Sequence, residues 1–241
     1  MKKKFKKIIV LLSGGLDSST VAYMAAKSSL CSNNRVYSLT FNYGQRHSKE
    51  LCSAKKIARK IDSQEHKIIK VDLKNWGGSS LTDRHLDLPV NRNLKLTNKS
   101  IPNTYVPARN TVFLALALAY AEVINADEIY LGVNSLDYSG YVDCRPAYIK
   151  KFQELVKLAT VKGIQGKSIK IKAPLINKTK SEIVKLGHKY GVDWKSTWSC
   201  YKGEKLACGI CDSCQLRLKG FMESGVRDPL RYKQLPVFYK N

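Results

Sequence analysis

Apolar residues along this chain fall into short runs, each followed by a stretch with helical spacing. Residues 8–12 form a continuous apolar run of strand length that opens on β-branched side chains, and 20–26 read as a helix. The same pairing recurs, with strands predicted over 35–41, 66–71, 128–132 and 168–172. Helices are predicted over 50–60, 111–124, 148–161 and 179–190, where Thr179 and Glu182 have the spacing of a capping box. Strands alternating with helices build right-handed βαβ units. The expected fold is therefore α/β: a parallel sheet flanked by helices, Rossmann-type in the broad sense. In such sheets binding groups collect beyond the carboxyl ends of the strands. Residues 72–105 break the rhythm with a long polar segment, whose length suits a lid, a binding loop or a mobile segment.

The junction after the first strand is Ser13-Gly14-Gly15-Leu16-Asp17-Ser18-Ser19. Two glycines allow a sharp turn, and the amides of the following helix start then point at one spot. A helix N-terminus with exposed N–H groups attracts phosphate, and the hydroxyls of Ser13, Ser18 and Ser19 add donors. Asp17 either caps the helix or meets a metal ion carried by that phosphate. A plain strand-to-helix turn with Asp17 or Ser18 as N-cap is the alternative. Neither the Walker lysine nor the Gly-x-Gly-x-x-Gly fingerprint is present.

Three further stretches carry candidate chemistry. Residues 43–47 follow the second strand. Arg109 stands at the entrance of the apolar helix, with Asn110 as its expected N-cap, so it flanks a second anion site or is simply exposed. After the fourth strand, Asp137, Asp143 and Arg145 lie among tyrosines, a pattern suited to reading a guanine-like edge or to an irregular loop. Lys180 falls in the first turn of a helix, where a cation is disfavoured unless it reaches an anion.

Composition narrows the classes. Lys+Arg number 42 against 19 acids, a formal net charge of +23, which raises nucleic acid as a partner. The excess is scattered and mostly lysine, so it does not define a nucleic-acid surface. The lysine-rich start precedes only five apolar residues, too few for a signal peptide, and helix 111–124 is too short to span a bilayer. A cytoplasmic, soluble protein without membrane contact is expected. Of seven cysteines, Cys200, Cys208, Cys211 and Cys214 follow Cys-x7-Cys-x2-Cys-x2-Cys. Such a set suits a closed structural zinc site, with an iron–sulfur cluster or redox thiols as alternatives. Cys31, Cys52 and Cys144 read as ordinary buried residues. Two regions are expected: 1–193, a nucleotide-binding α/β domain, and 194–241, a zinc-binding region packed on it.

The glycine junction resembles the PP-loop of the ATP pyrophosphatase superfamily, whose members cleave ATP between the α- and β-phosphates. Together with Tyr43-Gly44-Gln45-Arg46-His47, residues 104–110, residues 137–146 and the four cysteines after Thr197-Trp198-Ser199, it resembles the 7-cyano-7-deazaguanine synthase family over nearly the whole chain. Val142 and Ala147 stand where that family commonly has proline and an acid. The resemblance implies ATP- and ammonia-dependent conversion of 7-carboxy-7-deazaguanine to its nitrile, and a homodimer. It implies ATP contacts from Leu11, Leu12, Ser13, Gly14, Gly15, Leu16, Asp17, Ser18, Ser19, Thr20 and Val21, with magnesium accompanying ATP. Asp17, Lys180 and Arg109 become catalytic candidates and Asp137, Asp143 and Arg145 substrate-binding ones. No direct nucleic-acid contact is expected. The rival within the superfamily is a tRNA-modifying thiouridine or lysidine synthase. A non-enzymatic, zinc-containing nucleotide-binding module is a third reading.

Overall fold

The computed structural model describes residues 5–32, 34–92, 101–136 and 141–239, the side chains of 29–32 aside. Five parallel strands form one sheet in the order β3-β2-β1-β4-β5. They are β1 (Lys7–Leu11), β2 (Arg35–Asn42), β3 (Glu65–Lys70), β4 (Glu128–Tyr130) and β5 (Lys170–Lys172). The helices are α1 (Leu16–Ser32), α2 (Lys49–Lys60), α3 (Arg109–Val123), α4 (Pro146–Ala159), α5 (Val161–Ile164), α6 (Lys180–Tyr190) and α7 (Asp212–Ser224).

Both faces of the sheet's centre are covered, which is why β1 reads as a continuous apolar run, while β3 and β5 at the edges carry exposed lysines. On one face Ile9, Leu39 and Ile129 pack with Leu114 and Ala117 of α3 and Phe152 of α4. On the other, Ile8 and Val10 meet Val21 of α1, Ile57 of α2 and Ile183 of α6. Adjacent residues of β1 thus serve opposite cores, as the two-residue period of a strand requires. The capping box at α6 is present: Thr179 Oγ1 accepts from Glu182 N–H at 3.2 Å, and Thr179 N–H donates to Glu182 Oε2 at 2.8 Å.

Several expectations are corrected. The apolar helix begins at Arg109, so Asn110 lies inside it, and its N-cap is Ala108 in a left-handed conformation (φ 51°). Helix α7 was not anticipated, because its apolar pattern sits within the cysteine cluster. It packs on α6 and sends Phe221 into the second core beside Trp194, their rings meeting edge-on at 5.3 Å. Cys52 is exposed, while Cys144 is buried and the Cys31 side chain lies outside those described. The described part of the long polar segment is fastened down. Arg46 donates to the carbonyls of Asp83 (2.7 Å) and Leu86, and Asn91 N–H donates to Ile210 O at 2.9 Å. Among the described residues, no helix is long and apolar enough to cross a membrane.

Candidate active site

The strand order reverses between β1 and β4, and a cavity of about 310 Å³ opens beyond their carboxyl ends. The glycine junction forms its floor. Gly14 adopts φ +78° and lies so close to α2 that a methyl group there would come 2.5 Å from Ala54 N and 2.7 Å from Glu50 O. Gly132, two residues past the end of β4, lets the chain there touch the start of α1; a Cβ would sit 2.8 Å from Ser18 N. Side chains at either point would push the loop off the sheet. Within the loop, Ser13 Oγ and Ser18 Oγ share a hydrogen bond of 2.9 Å, and Gly15 N–H donates to Ser13 Oγ at 3.3 Å. The α1 start therefore stays compact and keeps donors at the cavity.

Of the residues expected at ATP, Leu11, Leu12, Ser13, Gly15, Leu16, Asp17 and Ser18 line the cavity. Gly14 lies behind it against α2, and Ser19, Thr20 and Val21 are buried in the protein. Thr20 Oγ1 donates to Leu16 O at 2.9 Å and Val21 belongs to the second core. These three shape the helix rather than the cavity wall.

Lys180 and Asp17, 163 residues apart in the chain, meet at the cavity. Lys180 Nζ donates to both carboxylate oxygens of Asp17 at 2.9 Å. The cation in the first turn of α6 thereby has its anion. Arg109 also lines the cavity, its guanidinium 5.3 Å from the Tyr43 ring centre and donating to Tyr43 Oη at 3.2 Å.

Of the substrate-reading candidates, Asp143 and Arg145 fall elsewhere. Asp143 is buried and accepts from Asn110 N–H at 2.9 Å, so its carboxylate caps α3 and holds the Arg109 turn in place. Arg145 is exposed and donates to Val142 O at 3.0 Å. Neither is among the side chains lining the cavity, and Asp137 lies outside the described residues. Cys144 does reach the wall. Burial and the Asp143 charge push its thiol up to about 12, so it is no thiolate at neutral pH.

Tyr141, one of the tyrosines of the expected recognition stretch, lines the cavity, as does Asn134 earlier in that stretch, whereas Glu50, Phe113, Tyr201 and Arg217 were not anticipated there. Glu50 lies three residues after the 43–47 stretch, which was the one available signal. Burial pushes its carboxyl up to about 7, against the opposing pull of Arg109.

The four clustered cysteines are all buried, and their sulfurs lie within 4.8 Å of one another. A tetrahedral ion with bonds of about 2.3 Å sets thiolate sulfurs about 3.8 Å apart. The Cys208–Cys214 separation is 3.9 Å. Backbone amides support the sulfurs, Cys208 N–H on Cys200 Sγ at 3.3 Å and Cys211 N–H on Cys208 Sγ at 3.4 Å. The donor set fits a metal ion. Its neighbours tie it to the cavity: Trp198 N–H donates to Gly14 O at 2.9 Å, and His47 Nε2 donates to Cys200 O at 2.9 Å. Arg217 of α7, buried, makes a two-pronged pair with Asp228 at 2.7 and 2.9 Å and donates to Thr197 Oγ1 at 2.8 Å.

A model of the family described as "Queuosine biosynthesis protein QueC" matches residues 7–225. This chain belongs to the QueC family. Similar proteins named 7-cyano-7-deazaguanine synthase include that of Trichodesmium erythraeum, 56% identical over 93% of this chain and 99% of its own. That of Nostoc sp. is 54% identical over 95% and 98%, and that of Picrophilus torridus 54% over 96% and 94%. Among solved structures, the U34-tRNA thiolase NcsA from Methanococcus maripaludis, with its [4Fe-4S] cluster, is similar at TM-score 0.49. The identity is 20%, over 79% of this chain and 59% of that one. The NMN synthetase of Francisella tularensis is similar at TM-score 0.48 and 16% identity, over 92% and 78%. Likeness at that level says nothing about substrate.

Proposed function

We infer that this QueC-family enzyme is an ATP-dependent carbon–nitrogen ligase that converts 7-carboxy-7-deazaguanine and ammonia to 7-cyano-7-deazaguanine, releasing AMP and pyrophosphate. The observation that carries this reading is one cavity shared by the PP-loop, Lys180 and Arg109, in a chain of this family. A carboxylate is a poor electrophile, and adenylation converts its oxygen into a leaving group. Ammonia then displaces AMP to give the amide, and a second adenylation of the amide oxygen permits loss of AMP to the nitrile. No enzyme nucleophile is needed, in keeping with a Cys144 thiol held at about 12. Catalysis is mainly positioning and charge stabilisation.

Ser13, Gly15 and Ser18 carry the donors for the pyrophosphate, and Gly14 sets the turn that aims them. Asp17 is the residue that would hold a magnesium ion accompanying ATP, which when bound neutralises phosphate charge. Lys180, paired with Asp17 at the cavity, would neutralise charge on the phosphates, and Arg109 would do so at the α-phosphate or the substrate carboxylate. Asp137 remains a reader of the deazaguanine. Asp143 acts as a positioning residue through Asn110, and Arg145 contributes at the surface. The four buried cysteines leave no ligand position for a catalytic water, so an ion held there would be structural, and a closed four-cysteine set of this kind suits zinc. The cavity suits small molecules, and the scattered charge needs no nucleic-acid partner; the enzyme works in the cytoplasm. Leu158, Val161, Ile164 and Val123 stand 63–82% exposed where α4, α5 and the end of α3 meet, which supports a second copy as partner.

The test is pyrophosphate release with ATP, magnesium and ammonium, with and without 7-carboxy-7-deazaguanine, and the product identified by mass. Substrate-dependent release with a nitrile product is expected. Its absence from folded, zinc-loaded protein overturns the assignment in favour of a tRNA-modifying enzyme. Metal analysis showing iron in place of zinc, or sedimentation as a monomer, overturns those parts separately.

A further inference from the structure

Two carboxylates line the cavity among the described residues, Asp17 and Glu50. Asp17 is engaged by Lys180. Glu50 carries no hydrogen bond or ion pair from its side chain among the described residues. The neighbours on its own segment are committed elsewhere. Arg46 is held by the Asp83 and Leu86 carbonyls, His47 by Cys200 O, and Lys49 by the Glu204 and Lys205 carbonyls with its ammonium 4.1 Å from the Trp198 ring centre. The titratable groups facing Glu50 are Arg109 from α3 and Tyr43 after β2. Glu50 is also the residue of α2 against whose carbonyl Gly14 packs, so its place relative to the PP-loop is set by backbone contact.

The reaction inferred above needs a group of this kind. Ammonia brings three hydrogens to a nitrogen that ends as a nitrile with none. In the first phase the ammonia lone pair forms the C–N bond, the C–O bond to AMP breaks with its electrons on AMP, and the nitrogen gives up one proton to leave the amide. In the second, the amide oxygen attacks the α-phosphorus of another ATP and pyrophosphate leaves. The C–O bond to AMP then breaks as the nitrogen releases its two remaining protons and forms the triple bond. Among the other described cavity side chains, the Asp17 carboxylate is already paired with Lys180, and burial keeps the Tyr43 and Tyr141 hydroxyls protonated. Lys180 and Arg109 are cations, and Cys144 is a neutral thiol.

We propose that Glu50 is the general base that takes protons from the reacting nitrogen in both phases, passing each to solvent through the open cavity. The deduction rests on the reading given under Proposed function. A carboxyl pushed up to about 7 by burial is matched to such work near neutral pH, where acceptor strength and the unprotonated fraction are both substantial.

Glu50→Gln keeps the shape and removes the base. Two readouts separate the steps: substrate-dependent exchange of pyrophosphate into ATP reports adenylation, and amide plus nitrile formation by mass reports the nitrogen steps. With the variant, product formation should fall about 10²–10⁴-fold. Exchange should stay within about threefold, which is the split expected when only a later step is lost. For wild type, the rate plotted against pH at constant un-ionised ammonia should rise through an inflection near 7, and this limb should vanish in the variant. Product formation within about threefold of wild type would overturn the proposal, as would exchange falling in parallel with it, which would mean a role at phosphate or magnesium. Should Glu50→Gln fail to fold, the wild-type profile decides alone, and a flat limb near pH 7 rejects the base. If wild type itself makes no nitrile, the function fails first; if it does, a negative result belongs to Glu50 alone.

Discussion

The PP-loop and the cysteine-rich region wall the same cavity, but different interactions hold them there. The loop is a local object. Ser13 and Ser18 bond to each other across five residues, and β1 and α1 on either side fix the turn. The cysteine region reaches the cavity only through contacts that cross the chain: Trp198 with Gly14, His47 with Cys200, and Arg92 of the long segment with the buried Asp212. A loop of the first kind forms as soon as its strand and helix do. A wall of the second kind depends on partners from residues 14, 47 and 92 and on four cysteines placed where they could hold a metal ion. Damage to the loop should therefore harm chemistry more than stability, and damage to the cysteines should do the reverse first.

The largest expected effect is that of Cys211→Ser. It should reduce bound zinc from about one per chain to near zero and cost several kcal/mol, about 10 °C or more in Tm. Activity should be lost with the wall. Metal analysis and calorimetry check this; a variant that retained its Tm would show the wall to be self-supporting.

Asp17→Ala is the matching break on the loop side. Pyrophosphate release should fall about 10²–10³-fold, as for loss of one preorganised charge-stabilising group. Tm should shift by only a few degrees, because the Asp17–Lys180 pair is partly exposed. Normal turnover would remove Asp17 from the mechanism.

Gly14→Ala sharpens the contrast, since this loop residue is also a packing point. A positive φ and a methyl 2.5 Å from Ala54 N should together cost about 2–4 kcal/mol. ATP affinity should weaken as well, measurable by titration of the purified variant.

The smallest effect is a gain. Glu50 is raised from 4.5 to about 7 in the folded protein, so the folded state binds more protons than the unfolded chain between those values. The stability contributed by this group is complete below pH 4.5 and is lost as pH rises through 7. At pH 8, Glu50→Gln should therefore stabilise by about 1–3 kcal/mol, and the difference should vanish near pH 4. Denaturant melts at the two pH values decide it. A carboxylate kept at a cost to stability is what a catalytic position looks like.

Much of this was legible beforehand, for reasons that differ by residue. The central strand β1 was readable because both of its faces are covered, which demands a continuous apolar run. Thr179 and Glu182 were readable because a capping box is made by residues three apart. The cysteine set was readable because a metal needs several like ligands in a small space. Asp143 was not: buried under α3, its charge caps a helix start, and a loop acid looks the same in sequence whether it meets a substrate or an N–H. Asn110 was misplaced by one turn chemistry overriding another, the left-handed Ala108 taking the cap position.

By itself, the amino-acid order determined the α/β alternation, the glycine-rich loop and the four-cysteine cluster, because each depends on residues close together in the chain or of one distinctive type. Only the tertiary structure decided that Lys180 would sit on Asp17, that Trp198 would dock on Gly14, and that Glu50 would face Arg109 in a shared cavity. Those pairings span tens to well over a hundred residues. They follow from how the sheet order and the helix layers fold the chain back on itself, and no local pattern encodes that.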